Sequence, residues 1–120
     1  MMLVVAAFLL AGPASAQAPV QGRYRCYEPP GYGVMAWFDL DAEGISLHGD
    51  VPQAVRIDVA TGRIDLPKDT LPPYRHGFFF PPDAAGGDAG RATIVLARRA
   101  DQRPGRPGWA RLPRCYLTTH

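Results

Sequence analysis

The chain has 120 residues, 13 Lys+Arg against 11 Asp+Glu, and 47% hydrophobic residues. That length holds one core and excludes two real domains, and a formal net charge of +2 falls short of the positive field a nucleic-acid binder carries. Gly and Pro contribute 13 residues each, which predicts short elements joined by irregular connections.

Leu3–Ala11 is an unbroken apolar run, too short to span a bilayer as a helix. Gly12-Pro13 breaks it, and Ala14-Ser15-Ala16 places small residues where a signal peptidase reads. Residues 1–16 are therefore expected to be a signal peptide, leaving a mature domain from Gln17 to His120, periplasmic or secreted and soluble. Pro13 stands where a lipoprotein signal would need its lipidated Cys, so release is expected, with no anchor and no transmembrane segment.

The first strand is expected over Gly22–Tyr27, ended by Pro29-Pro30-Gly31. Val34–Leu40 is rich in β-branched and aromatic residues and alternates. Asp41-Ala42-Glu43-Gly44 reads as a hairpin turn, with Ile45–His48 returning. Ala54–Val59 has the cleanest period-two pattern, with Val55, Ile57 and Val59 opposite Arg56 and Asp58, and Thr61-Gly62 turns it into Arg63–Leu66. Pro67–Gly77 reads as a loop and Phe78–Phe80 as a strand of three residues at best. Residues 83–90 read as a small-residue loop, Ala92–Arg98 as a strong strand, residues 101–113 as a Pro/Gly/Arg-rich loop around Trp109, and Arg114–Thr118 as the closing strand.

Cys26 and Cys115 are the only cysteines, one in the first strand and one in the last. In an exported chain they are expected to form a disulfide. Closing a loop of roughly 90 residues stabilises by about 4–5 kcal/mol in the chain-entropy model. A single layer would leave half of the apolar positions wet, so the expected fold is all-β: a small antiparallel sandwich or barrel of seven or eight short strands closed by this end-to-end disulfide.

Candidate chemistry is sparse. Asp39-x-Asp41-x-Glu43-Gly44 imitates the start of a calcium loop, but Asp50 replaces the bidentate Glu and the flanks read as strands, so an acidic turn is expected. His48, His76 and His120 share no short spacing and both cysteines are committed, so neither a metal site nor a cofactor is expected. The mature chain has one serine, Ser46, outside any nucleophile elbow, and only two glutamates, Glu28 and Glu43, so no catalytic residue is assigned and a non-enzyme is expected. His76 lies beside Tyr74 and Arg75, where a binding role competes with an idle loop histidine.

The basic segment stands out. Arg98, Arg99, Arg103, Arg106, Arg111 and Arg114 are countered only by Asp101, and Trp109 sits among them. Arginines beside an aromatic suit an anionic lipid headgroup, a polysaccharide or an acidic protein. The competing reading is a solvated loop in an Arg-biased composition (12 of the 13 basic residues are Arg) with Trp109 folded over the core. Arg98, Arg99, Arg103, Arg106, Trp109 and Arg111 form the candidate binding surface, with an anionic envelope component or another exported protein as the partner class. Phe78-Phe79-Phe80 puts rings on both faces of its strand, which requires either two buried faces or one exposed anchor.

The layout Gly22-x-Tyr24-x-Cys26, short alternating strands and Cys115 near the end resembles small exported bacterial domains of uncharacterised function. More distantly, it resembles the membrane-bound inhibitors of c-type lysozyme, whose barrel is closed by a disulfide from a Tyr-x-Cys strand. The likeness spans the mature chain in outline. It implies an alternative function, a proteinaceous inhibitor of a lysozyme-like enzyme acting through an inserted loop such as Pro67–Gly77. No inhibitory residue carries over to a position of this sequence. The leading expectation is an exported, non-catalytic binding or envelope-associated module.

Overall fold

A computed structural model describes residues 18–29, 31, 33–82, 90–99, 101–103 and 105–118. The signal-peptide assignment over 1–16, and most of the small-residue loop at 83–90, lie outside the described residues. Eight strands form one antiparallel sheet: β1 (Gly22–Glu28), β2 (Gly33–Asp41), β3 (Gly44–Leu47), β4 (Arg56–Asp58), β5 (Arg63–Asp65), β6 (His76–Phe80), β7 (Thr93–Ala97) and β8 (Arg114–Leu117). The strand order is β3-β2-β1-β8-β7-β6-β5-β4, so two meanders meet where the first strand pairs with the last. Cys26 faces Cys115 in that central ladder and the two are disulfide-bonded.

The sheet is curled into a half-barrel, so the barrel-like alternative is realised without a second stacked sheet. Curling answers the packing problem. Period-two alternation sends Tyr24, Cys26, Ala36, Phe38, Leu40, Ile45, Ile64, Phe79, Ile94, Leu96 and Cys115 into one concave core. The other face is covered differently. Phe78, Val95 and Ala97 pack there under Trp109 and Leu112, which come from the segment 101–113, with Phe80 at the margin. Both faces of the Phe78–Phe80 run are thereby used, and β6 extends back to His76.

Turn chemistry follows the residues. Asp41 Oδ1 accepts the Glu43 amide at 2.8 Å, which makes Asp41–Gly44 a two-residue hairpin with an Asx turn. No three-member group of His, Cys, Asp or Glu able to hold a metal occurs among the described residues. The β4–β5 hairpin forms around Gly62, but β4 is only three residues long, and Val55 and Ile57 are half-buried. The clean alternation of 54–59 overstated its length because the segment does two jobs. Gln53 exchanges two backbone hydrogen bonds of 2.9 Å with Ile45 on the free edge of β3, and from Arg56 onward the chain pairs with β5. This one stretch bridges both edges of the sheet, through a single isolated pair on the β3 side.

The segment 101–113, expected to be irregular, contains a short 3-10 helix over Trp109–Arg111. Arg114 secures it from below. Its Nη1 donates to the carbonyl of Leu112 at 2.9 Å and approaches those of Trp109 and Ala110 at 3.5 Å, taking up carbonyls that a helix end leaves without partners. Among the described residues no helix is long and apolar enough to cross a membrane.

Candidate functional site

The arginines of the basic segment separate into four roles. Arg114 is the internal brace just described. Arg99 lies on the surface paired with Asp101 (Nε to Oδ1, 3.1 Å), and the Arg98 and Arg99 amides both donate to Gln102 Oε1. Arg103, Arg106 and Arg111 are exposed and make no side-chain hydrogen bond or ion pair among the described residues.

Trp109 is not part of that exposed set. It is 9% exposed, and its ring meets Phe78 and Phe80 edge-on, with centroids at 5.8 and 5.9 Å. The indole therefore acts as the plug that fixes the segment to the outer face, while the neighbouring arginines point to solvent. The burial of this one ring turns a Gly/Pro-rich stretch into a defined shelf.

Arg98 goes elsewhere. It follows β7 and reaches a cleft of about 530 Å3 lined by Arg63, Asp65, Leu66, Arg75, His76 and itself. The register explains the gathering. Asp65 stands directly opposite His76 in the β5–β6 ladder, and Arg63 lies two residues away on the same face. Arg75 precedes β6, its amide bonded to the carbonyl of Ala97 at the end of β7, one residue before Arg98. Asp65 Oδ1 lies 3.2 Å from Arg63 Nε and 3.5 Å from His76 Nδ1. Neither buried nitrogen completes a hydrogen bond; the carboxylate attracts the Arg63 guanidinium by charge and lies beside the His76 ring. The Arg75 side chain is exposed and unpaired among the described residues. Three guanidiniums against one carboxylate leave this cleft positive, and its lining contains no hydroxyl or thiol nucleophile.

Tyr74 borders the region. The Arg98 guanidinium lies 5.6 Å from its ring centroid, and its hydroxyl donates to Glu28 Oε2 at 3.3 Å. Burial, reinforced by the Glu28 charge, pushes the Tyr74 phenol above its ordinary range despite the opposing Arg98. Tyr74 and Leu71 are buried and bridged to each other, so the 67–77 connection is tied down against the core rather than standing clear of it.

A second polar cluster covers the outer face of β1–β2. Arg23 sits opposite Asp39 and binds it through Nε at 2.9 Å and Nη2 at 3.2 Å, with its guanidinium 4.1 Å from the centre of the Trp37 ring. Hydrogen bonding to Asp39 raises the Arg23 pKa further, keeping it charged. Trp37 also leans on His48, and Arg91 lies 4.3 Å over the Tyr116 ring. These side chains spend interactions on one another.

Sequence reasoning named Arg98, and considered His76 with Arg75 without placing them in a site. It missed Arg63 and Asp65. The available signal was the alternation in Arg63–Leu66, which turns both charged residues outward together. The missing information was the β5–β6 register. Comparison of the chain with protein-family models, with curated proteins and with solved structures finds no match.

Proposed function

We propose that this protein is an exported, non-catalytic binding module, soluble in the periplasm or outside the cell after removal of residues 1–16, which docks on anionic envelope material. The observation that carries the reading is that Arg103, Arg106 and Arg111 stand exposed, and unpaired among the described residues, on the segment pinned by Trp109. Cations held on an anchored segment lose little conformational freedom on docking, and attract a polyanion at long range. The Cys26–Cys115 disulfide is consistent with an oxidising compartment. An enzyme inhibitor acting through an inserted 67–77 loop draws no support from a loop whose Leu71 and Tyr74 are buried.

The test is co-sedimentation of the oxidised protein with phosphatidylglycerol vesicles, and with phosphatidylcholine vesicles as control, at 20 and 300 mM salt. Binding to the anionic vesicles at low salt, lost at high salt and reduced at least fivefold by the triple variant R103Q/R106Q/R111Q, is expected. Absence of binding at low salt, or equal binding to both vesicle types, would overturn the reading.

A further inference from the structure

We infer that the cleft between β5, β6 and the end of β7 is a discrete site for a phosphate-type dianion, separate from the diffuse attraction of the shelf. The charge count is the first argument. Arg63, Arg75 and Arg98 line the cleft with Asp65 as its one carboxylate, so these permanently charged groups carry a surplus of two positive charges. A phosphate monoester near neutral pH carries about −1.5 to −2. The match is to a dianion rather than to a single carboxylate.

The donors are the second argument. A guanidinium presents planar N–H groups that suit tetrahedral oxyanions, and the site brings three of them together from three separate places in the chain. Arg63 is fixed by Asp65 on its Nε side, and Arg98 is oriented across the Tyr74 ring. Arg75 has no side-chain partner among the described residues and can close on a ligand. Neighbouring β4 adds no net charge, since Arg56 stands opposite Asp65 and Asp58 opposite Arg63. Outside the lining, Glu28 is engaged by the Tyr74 hydroxyl.

Size is the third. A cleft of about 530 Å3 exceeds a bare phosphate and holds the group to which it is esterified, with Leu66 as an apolar wall. The source of the group is a soluble phosphate monoester or a membrane lipid headgroup, and the experiment separates them.

Amide chemical shifts of the oxidised protein would be followed during titration with inorganic phosphate, sulfate and nitrate at constant ionic strength. Phosphate and sulfate are expected to shift Asp65, His76 and Gly77 along one saturating curve, with nitrate at least tenfold weaker. Arg75→Gln, an exposed and unpaired position that leaves the fold intact, is expected to weaken phosphate at least tenfold, and Arg103→Gln to change it less than twofold. Linear shifts without saturation, nitrate as strong as phosphate, or equal losses in the two variants would overturn the site. Phosphate that competes with phosphatidylglycerol vesicles in an Arg75-dependent way assigns the headgroup as the source. Competition by glycerol 3-phosphate without any effect on vesicle binding assigns a soluble monoester. Vesicle binding that fails in the wild type while phosphate saturates removes the shelf proposal and leaves this one standing.

Discussion

Cys26 and Cys115 stand directly opposite each other across β1 and β8, at the one ladder that joins the two meanders of the sheet. Both are fully buried, and 89 positions separate them in sequence. Any unfolding that parts the meanders must therefore open a loop that the bridge keeps closed. Reduction is expected to lower stability by about 4–5 kcal/mol, a large share of what a domain of this size has. Urea denaturation with and without dithiothreitol measures it. An unchanged midpoint in reductant, with free thiols confirmed, would show that the β1–β8 pairing alone holds the meanders together.

Trp109→Ala should act as a core truncation although the residue lies in a Gly/Pro-rich loop. The ring fills the space between Phe78, Phe80 and Leu112, and its loss is expected to cost about 3–5 kcal/mol. Arg114→Ala leaves the indole but releases the carbonyls it braces, and should cost about 1–3 kcal/mol. Thermal melts rank the two, and near-UV circular dichroism reports whether the indole remains fixed. A Trp109→Ala protein as stable as wild type would mean that the shelf is not anchored.

Much of this architecture was legible. Seven of the eight strands centre on stretches whose alternation or β-branched content marks them, because a curled sheet sorts its residues by the same period of two that is visible in the sequence; β6 is the exception, since its three phenylalanines do not alternate and its first residues, His76 and Gly77, read as loop. The disulfide followed from there being two cysteines in terminal strands. Three things were hidden. Trp109 could be read as exposed or buried, since a lone aromatic in a loop carries no periodicity. His76 and Asp65 are 11 residues apart, and only the β5–β6 register sets them face to face. The edge bridge from Gln53 to Ile45 involves backbone alone, so no side-chain pattern announces it.

That bridge makes Gly44 the most demanding glycine of the sheet. Its φ is +126°, and a Cβ there would fall onto the backbone of Gln53 and Ala54, too close for any side chain. Gly49 has φ +84° but open space around it. Gly44→Ala is expected to cost roughly 2–4 kcal/mol by combining strain with separation of the β3 edge, and Gly49→Ala about 1 kcal/mol from backbone strain. Hydrogen exchange supplies a local readout. In Gly44→Ala the amides of Ile45 and Gln53, which bond each other's carbonyls, should lose protection before those of β1 and β8. Equal costs for the two variants would mean that the edge bridge adds nothing.

Tyr24 links the core to pH. Its ring is fully buried and stacked on Phe38, and its hydroxyl donates to the carbonyl of Val20 at 2.5 Å, holding the chain ahead of β1. Burial raises its pKa well above the value of about 10 that it has in the unfolded chain. The folded state therefore retains a proton that the unfolded state releases as pH passes 10. Between those two pKa values the folded state binds more protons, so unfolding becomes easier with rising pH. The stabilisation from keeping the phenol neutral is complete below pH 10 and is lost progressively above it, with Tyr74 contributing in the same direction. Tyr24→Phe removes the hydrogen bond and should cost about 1 kcal/mol at pH 7, while its stability falls less steeply from pH 10 to 11.5. The two stability curves are thus expected to converge at alkaline pH. Parallel curves would mean that Tyr24 ionises in the folded protein as readily as in the unfolded one, and that the buried phenol does not set the alkaline limit.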